Sequence, residues 1–428
     1  MNSTLDGIAA VQDRPPRSAT PFRAGLLGIT AGLIALWVTR DQPALDAATR
    51  AVIASLAIIG TIALHEIFIS RVYLRPSTGL SRQAVRPLGL ARVATRLGAL
   101  ASIYAGIGAL YWLLPEYHGD FYLPFWSLLR SLAPYVIVAA PFYFMWMDRH
   151  QRETDDAYLL WGRFLFRREK PASWQPVREM LAGWGVKMFF LPLMTVYLSK
   201  DADHLTASLA HMMNAPMSLA TFSFMYDLSF TMDLMFGTVG YLCTFRILDS
   251  HVRTVEPTAL GWGAALICYQ PFWSLISGHY IRYEGTLFWD NWLLSAPTLR
   301  VIWGTVIILL LLTYALCTIS FGLRFSNLTN RGIITSGPYR FTKHPAYITK
   351  NLSYWMVSVP FVEPLGWRVA LMHCAGLVAV NLIYYVRAKT EERHLMRDPD
   401  YRAYAEWIAQ HGLIARVRQA FSGAQQPA

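Results

Sequence analysis

The sequence predicts an all-α, polytopic integral membrane protein with about ten transmembrane helices. Three observations carry that expectation. Apolar runs recur along the whole chain, many of them near the 17–25 residues a bilayer-spanning helix needs. Charged residues make up 15% of the chain and hydrophobic residues 54%, where an ordinary globular domain carries roughly a quarter charged. The basic residues are gathered between the apolar runs, as orientation in a membrane demands.

The apolar segments fall near Ala24–Val38, Ala51–Ile69, Leu97–Leu114, Trp126–Met147, Gly183–Leu198, Ser218–Thr244, Trp262–Ile276, Val301–Gly322, Ala346–Phe361 and Val369–Val386. The fifth and seventh are the weakest, because Lys187 sits in one and Pro271 interrupts the other; eight spans would leave both termini on the same side just as ten do. Loop charge alternates accordingly. One side collects Arg14, Arg17 and Arg23, then Arg71 to Arg96, Arg149 to Arg178, Arg246 and Arg253, Arg324 to Lys343, and Arg387 onward. The other holds scattered Arg40, Arg50, Lys200, Arg282, Arg300 and Arg368, offset by acids such as Asp41, Asp203 and Glu363. Both termini are therefore expected in the cytoplasm.

Residues 1–22 read as a disordered cytoplasmic tail, residues 23–298 as an N-terminal membrane domain of about seven spans, and residues 299–428 as a membrane core with a cytoplasmic site. The first apolar run lacks a small-residue cleavage site and reads as a retained helix. The stretch Asp155–Trp174 mixes Leu, Trp and Phe with Arg and Lys, which suits an amphipathic helix in the headgroup layer. The net charge of +11 is accounted for by the loops, so no nucleic-acid partner is expected. Cys243, Cys268, Cys317 and Cys374 all lie in apolar segments without a Cys-x-x-Cys pair, which argues against disulfides and thiolate metal sites. His204 and His211 lie seven apart and lack a third ligand, so no metal is expected.

Chemistry concentrates in two polar blocks. In Gly332–Trp355, Pro338 sets a turn after Gly337, and Pro345 opens a helix at a position where its missing amide proton is harmless. Tyr339, Arg340, Lys343 and His344 then crowd a helix N-terminus whose free amides and positive dipole end favour a carboxylate or phosphate. The second block, Arg387 to Glu392, follows the next helical hairpin and so returns to the same side. Glu391 and Glu392 give paired carboxylates, with Arg387 four residues before Glu391 on the same helical face. Carboxylates hold ribose hydroxyls or an ammonium group, and Arg makes a two-pronged contact with a carboxylate. A nucleoside amino acid satisfies both blocks.

Gly337, Tyr339, His344, Pro345, Tyr347, Arg387, Lys389, Thr390, Glu391, Glu392, Tyr401 and Tyr404 together resemble the isoprenylcysteine carboxyl methyltransferase and phospholipid methyltransferase superfamily over roughly Val301 to Ala415. Lys343 stands where that pattern usually has Arg, and Thr349-Lys350 where it often has a small Gly beside an aromatic. The resemblance implies S-adenosylmethionine as cofactor, bound by Tyr339, His344, Tyr347 and Glu391 with the Gly337, Arg340 and Pro345 turn, and it places Arg387 and Glu392 nearer the reacting group as catalytic candidates. It implies a lipid or isoprenoid-linked acceptor, with carboxylate O-methylation favoured over headgroup N-methylation. In the second case Glu392 would assist deprotonation.

Lys343 and Lys350, seven apart, are expected to share a helix face and attract an anionic headgroup; the plain alternative is that both are orientation charges. The competing reading of the whole is an NADPH-dependent, sterol-reductase-like oxidoreductase, against which the Gly337-Pro338-Tyr339-Arg340 turn stands. A third is a transporter or receptor using His65, Glu66, Asp227 and Asp233 as an ion path, although the bland reading of those acids is a polar contact between helices. The Arg- and Ala-rich composition points to a bacterial inner membrane with the site facing the cytoplasm. Acceptor identity, the role of the N-terminal spans and any homo-oligomer are left open by the sequence.

Overall fold

The computed structural model describes residues 14–215, 219–277, 279–285 and 287–423. The protein is an all-α membrane protein with one two-residue antiparallel ladder. Its helices are α1 (Phe22–Thr39), α2 (Ala47–Leu64, extended by a π-helical turn His65–Ile69), α3 (Leu90–Leu113), α4 (Leu123–His150), α5 (Ala157–Arg167), α6 (Gln175–Asn214), α7 (Leu219–Leu242), α8 (Ala259–Leu266), α9 (Phe272–Ile276), α10 (Trp289–Trp292), α11 (Pro297–Ile319), α12 (Pro345–Ser358), α13 (Trp367–Leu395), α14 (Pro399–His411) and α15 (Leu413–Gly423). Among the described residues, seven segments are both long and apolar enough to cross a membrane, lying in α1, α2, α3, α4, α6, α11 and α13.

The other three expected segments differ for physical reasons. In α7, 24 residues long, Asp227, Asp233 and several Ser and Thr dilute the apolar run. The segment expected at Trp262–Ile276 breaks into α8 and α9 on either side of Pro271, as the missing amide proton and ring of a proline require. The 14 residues of α12 reach about 21 Å at 1.5 Å per residue, short of a bilayer core of about 30 Å. Conversely, the fifth segment does not end near Leu198, because α6 runs 40 residues to Asn214.

A core of α1, α2, α6, α7 and α11 packs around Ile58, Ile62, Met235, Phe236 and Ala315. A second cluster joins α3, α4 and α6 through Tyr111, Phe125 and Phe190. The α8–α9 region lies on α13 at Leu377, Val380 and Tyr384. Where α7 meets the chain after α11, a Cβ on Gly240 would sit 2.2 Å from the Phe325 carbonyl oxygen, so only glycine allows that approach.

Several of the Arg-rich segments expected on one side meet one another in polar contacts. Arg92 and Arg96 both bond Asp148, and Arg96 Nε reaches Asp156 at 2.6 Å; Asp156 also caps α5 through the Leu159 amide at 3.0 Å. Arg75 pairs with Asp249 at 3.3 Å. Thr254–Val255 pairs antiparallel with Thr329–Asn330. The buried Arg331 guanidinium donates to the carbonyls of Ser250, Gly240, Phe325, Leu323 and Cys243, which pins the chain after α11 onto the end of α7.

The expected disordered tail is corrected from Pro16 onward. Thr335 Oγ1 donates to the Pro16 carbonyl at 2.6 Å, the Ala19 amide to Ile333 O at 2.8 Å, and Thr20 Oγ1 to Glu66 at 2.7 Å. Residues 1–13 of that expectation lie outside the described residues. The amphipathic reading of Asp155–Trp174 corresponds to α5, which buries Leu159 and leaves Phe166 exposed.

Candidate functional site

The site is assembled where the start of α12 meets the end of α13. Gly337 opens a 3-10 turn, Gly337–Arg340, with φ +63°, a left-handed conformation that favours glycine. A Cβ there would also lie 2.5 Å from Ser320 Oγ. Gly337→Ala is expected to cost about 1–2 kcal/mol from backbone strain alone. Thermal unfolding should show a lower midpoint, whereas Gly60→Ala, where an added methyl meets nothing within 4 Å, should not lower it.

Tyr339 turns inward from this 3-10 segment, packing edge-on to Phe321 at 5.4 Å, and its carbonyl accepts from the Tyr404 hydroxyl at 2.8 Å. Arg340 points the other way and is exposed. Pro345 is the first residue of α12 and His344 its N-cap residue. The first intrahelical bond runs from the Ile348 amide to the His344 carbonyl at 3.2 Å, so the Ala346 and Tyr347 amides precede it at the positive end of the dipole.

Side chains then stitch the two blocks together. Lys343 Nζ lies 2.7 Å and His344 Nε2 3.0 Å from Glu392 Oε1, while Lys389 Nζ lies 3.1 Å from Oε2. The Tyr347 hydroxyl donates to Glu391 Oε2 at 2.7 Å. The His344 and Tyr347 rings stack, centroids 5.5 Å apart and planes within 11°. The hairpin is thereby closed at its polar end, with Glu391 and Glu392 engaged by different partners.

Arg387 takes a direction that its position four residues before Glu391 did not suggest. Its Nη2 donates to Asn327 Oδ1, and its guanidinium carbon lies 5.3 Å from the Tyr347 ring centroid and 5.8 Å from that of Tyr269. Asn327 is itself held, its amide donating to the Tyr241 hydroxyl at 2.9 Å and its Nδ2 to the Tyr269 hydroxyl at 3.2 Å. Lys343 and Lys350 do not share a face, because α12 begins only at Pro345: Lys343 goes to Glu392, and Lys350 lies over Tyr314 at 5.1 Å and Tyr384 at 5.9 Å.

Asn327 and Tyr269 escaped the sequence reading, since nothing in their local context sets them apart. The one available signal for Asn327 was an amide between Arg324 and Arg331, directly after an apolar run. Of the intramembrane acids, Asp233 accepts from Tyr314 at 2.9 Å and Thr318 at 2.5 Å, and Glu66 pairs with Arg324; both make polar contacts between elements. No group of three or more potential metal ligands occurs among the described residues, and the four cysteines are free.

The cofactor expected here fits the residues present. A sulfonium nucleoside offers an ammonium and ribose hydroxyls for Glu391, and a carboxylate for the α12 amides and Lys343. The Tyr401 hydroxyl is buried without a partner among the described residues, close enough to Glu391 and Glu392 that burial first and their charges second push its ionisation up. It is thus a neutral donor beside the carboxylates.

No curated protein and no solved structure matches the chain. Residues 299–397, spanning α11 to the end of α13 and enclosing both polar blocks, match the family model described as the isoprenylcysteine carboxyl methyltransferase (ICMT) family.

Proposed function

We propose that the protein is an S-adenosylmethionine-dependent membrane methyltransferase that esterifies the carboxylate of a lipid or isoprenoid-linked acceptor. The observation that carries this reading is the closure of the α12–α13 hairpin by Lys343, His344 and Tyr347 on Glu391 and Glu392, inside the segment that resembles the ICMT family. In this reading the site faces the cytoplasm, which the loop-charge asymmetry supports, in a bacterial inner membrane, which the Arg- and Ala-rich composition supports. The N-terminal spans serve in this reading as the scaffold that fixes the polar contacts under it.

When bound, the cofactor supplies a methyl group already activated on a sulfonium. Tyr347 orients Glu391, and together with the α12 amides they would hold the polar ends of the cofactor. Arg387, set by Asn327, would hold and orient the acceptor carboxylate. Such an acceptor carries no proton to remove, so no general base would be required of this site. Glu392 has both oxygens engaged by Lys343, His344 and Lys389, which makes it a positioning residue rather than a general base.

The test is label transfer. Purified protein given methyl-labelled S-adenosylmethionine and farnesoic acid should form a base-labile methyl ester. Label found only in a base-stable N-methyl product of an amine acceptor would overturn the carboxylate assignment.

A further inference from the structure

The closure of the site leaves Lys350 of α12 unexplained. It lies five residues beyond Pro345 and is half-buried among aromatic side chains, where an ionisable group is costly. Its Nζ lies 5.1 Å from the Tyr314 ring centroid and 5.9 Å from that of Tyr384. Tyr354 follows one turn on, its ring 6.5 Å from Tyr384 and 6.2 Å from Tyr283. Tyr384 in turn lies 5.7 Å from Tyr347, the ring that carries Arg387 on its face at 5.3 Å. Two cations thus line one continuous wall of tyrosines.

Neither cation has a carboxylate within 4.0 Å among the described residues, in contrast to Lys343 on Glu392. Asp233, the acid bonded to Tyr314 of this wall, has its two oxygens accepting from Tyr314 and Thr318. We propose that Lys350 and Arg387 form an intramembrane site for the acidic head of a lipid, and that Lys350 excludes ammonium heads from it.

The exclusion follows from what occupies the tyrosines. A cage of aromatic faces is the surrounding that binds ammonium groups, but here the chain's own ammonium already fills it. A lipid amine would meet Lys350 and Arg387 as like charges, whereas a carboxylate meets two donors. Ile348 and Leu352 on α12 and Val378 and Leu382 on α13 are exposed, so a bound lipid's chain can leave the site between apolar surfaces. The inference depends on the methyltransferase reading only for what becomes of the bound acid.

Equilibrium binding to the full chain in phosphatidylcholine nanodiscs tests it, with farnesoic acid and farnesylamine as probes that differ only in the head. The acid should bind about tenfold to a hundredfold tighter than the amine, the size of one charge-assisted contact. Lys350→Met should lose most of that preference, and Lys350→Arg should retain it, with unfolding midpoints confirming that both variants fold. Equal binding of acid and amine by the unaltered protein, or an undiminished preference in a folded Lys350→Met, would overturn the proposal. A parallel titration with S-adenosylmethionine separates the two readings: acid preference without cofactor binding sinks the methyltransferase and leaves the anion site standing, and cofactor binding without acid preference does the reverse.

Discussion

Arg387→Ala should lower kcat/KM for a carboxylate acceptor by about 30-fold to 5,000-fold, the range that follows from losing about 2–5 kcal/mol when one partner of a buried charged contact is removed. The guanidinium is fixed on three sides, by Asn327 and by the rings of Tyr347 and Tyr269. A side chain held that firmly presents a pre-set fork, and pre-organisation is what separates a catalytic contact from a mobile surface charge. Arg387→Lys keeps the charge and loses the fork, and should fall between the alanine variant and the unaltered enzyme. Asn327→Ala, which removes the orienting contact together with the bond to the Tyr269 hydroxyl, should reduce kcat more than it raises KM. Cofactor affinity should change little in all three, since Glu391, Tyr347 and the α12 amides remain. Steady-state kinetics beside calorimetry of the cofactor would check this. An alanine variant with undiminished turnover would remove Arg387 from the chemistry.

Arg324→Met should destabilise the protein by about 3–5 kcal/mol, because it strands Glu66 as a buried, uncompensated charge. Both side chains are fully buried. Arg324 also donates to the Asp249 carbonyl at 3.2 Å and the Leu248 carbonyl at 2.8 Å, while Glu66 accepts from Thr20. One pair thus ties the N-terminal segment, the end of α2, the loop after α7 and the loop after α11. The second Glu66 oxygen is buried without a partner among the described residues, so the carboxylate depends on Arg324 and Thr20. Replacing both charges, as Glu66→Gln with Arg324→Met, should recover much of the loss, as a buried pair exchanged for neutral groups commonly does. Unfolding midpoints of the two single variants and the double variant decide it. A double variant no more stable than the weaker single one would contradict the ion-pair explanation.

The parts legible in the sequence were those written in local pattern. Pro345 sets the start of α12 because a proline is tolerated there, and Gly337 sets the turn before it because its φ is positive. The length of the hairpin brings Glu391 and Glu392 back to Lys343 and His344. Clustering of Arg between apolar runs foretold the polar contacts among those segments, since membrane orientation dictates it. What stayed hidden depends on distant partners. Nothing near Asn327 announces that Arg387, 60 residues later, will choose it over Glu391. Residues 16–20 read as a polar tail because their partners, Glu66, Ile333 and Thr335, lie far along the chain. The separation of Lys343 from Lys350 was misread by treating both as helical, although Pro345 opens α12 only after the first. Likewise α6 outruns its apolar stretch because Asp-Ala-Asp-His-Leu and the residues after it continue a helix once the preceding turns have nucleated it.

Isothermal titration calorimetry of the purified protein with S-adenosylmethionine, repeated with NADPH, tests most directly that the closed α12–α13 hairpin is a sulfonium-nucleoside site. Saturable heat with the first and none with the second is expected, abolished by Glu391→Ala combined with Tyr347→Phe. Saturable heat with NADPH and none with S-adenosylmethionine would contradict it.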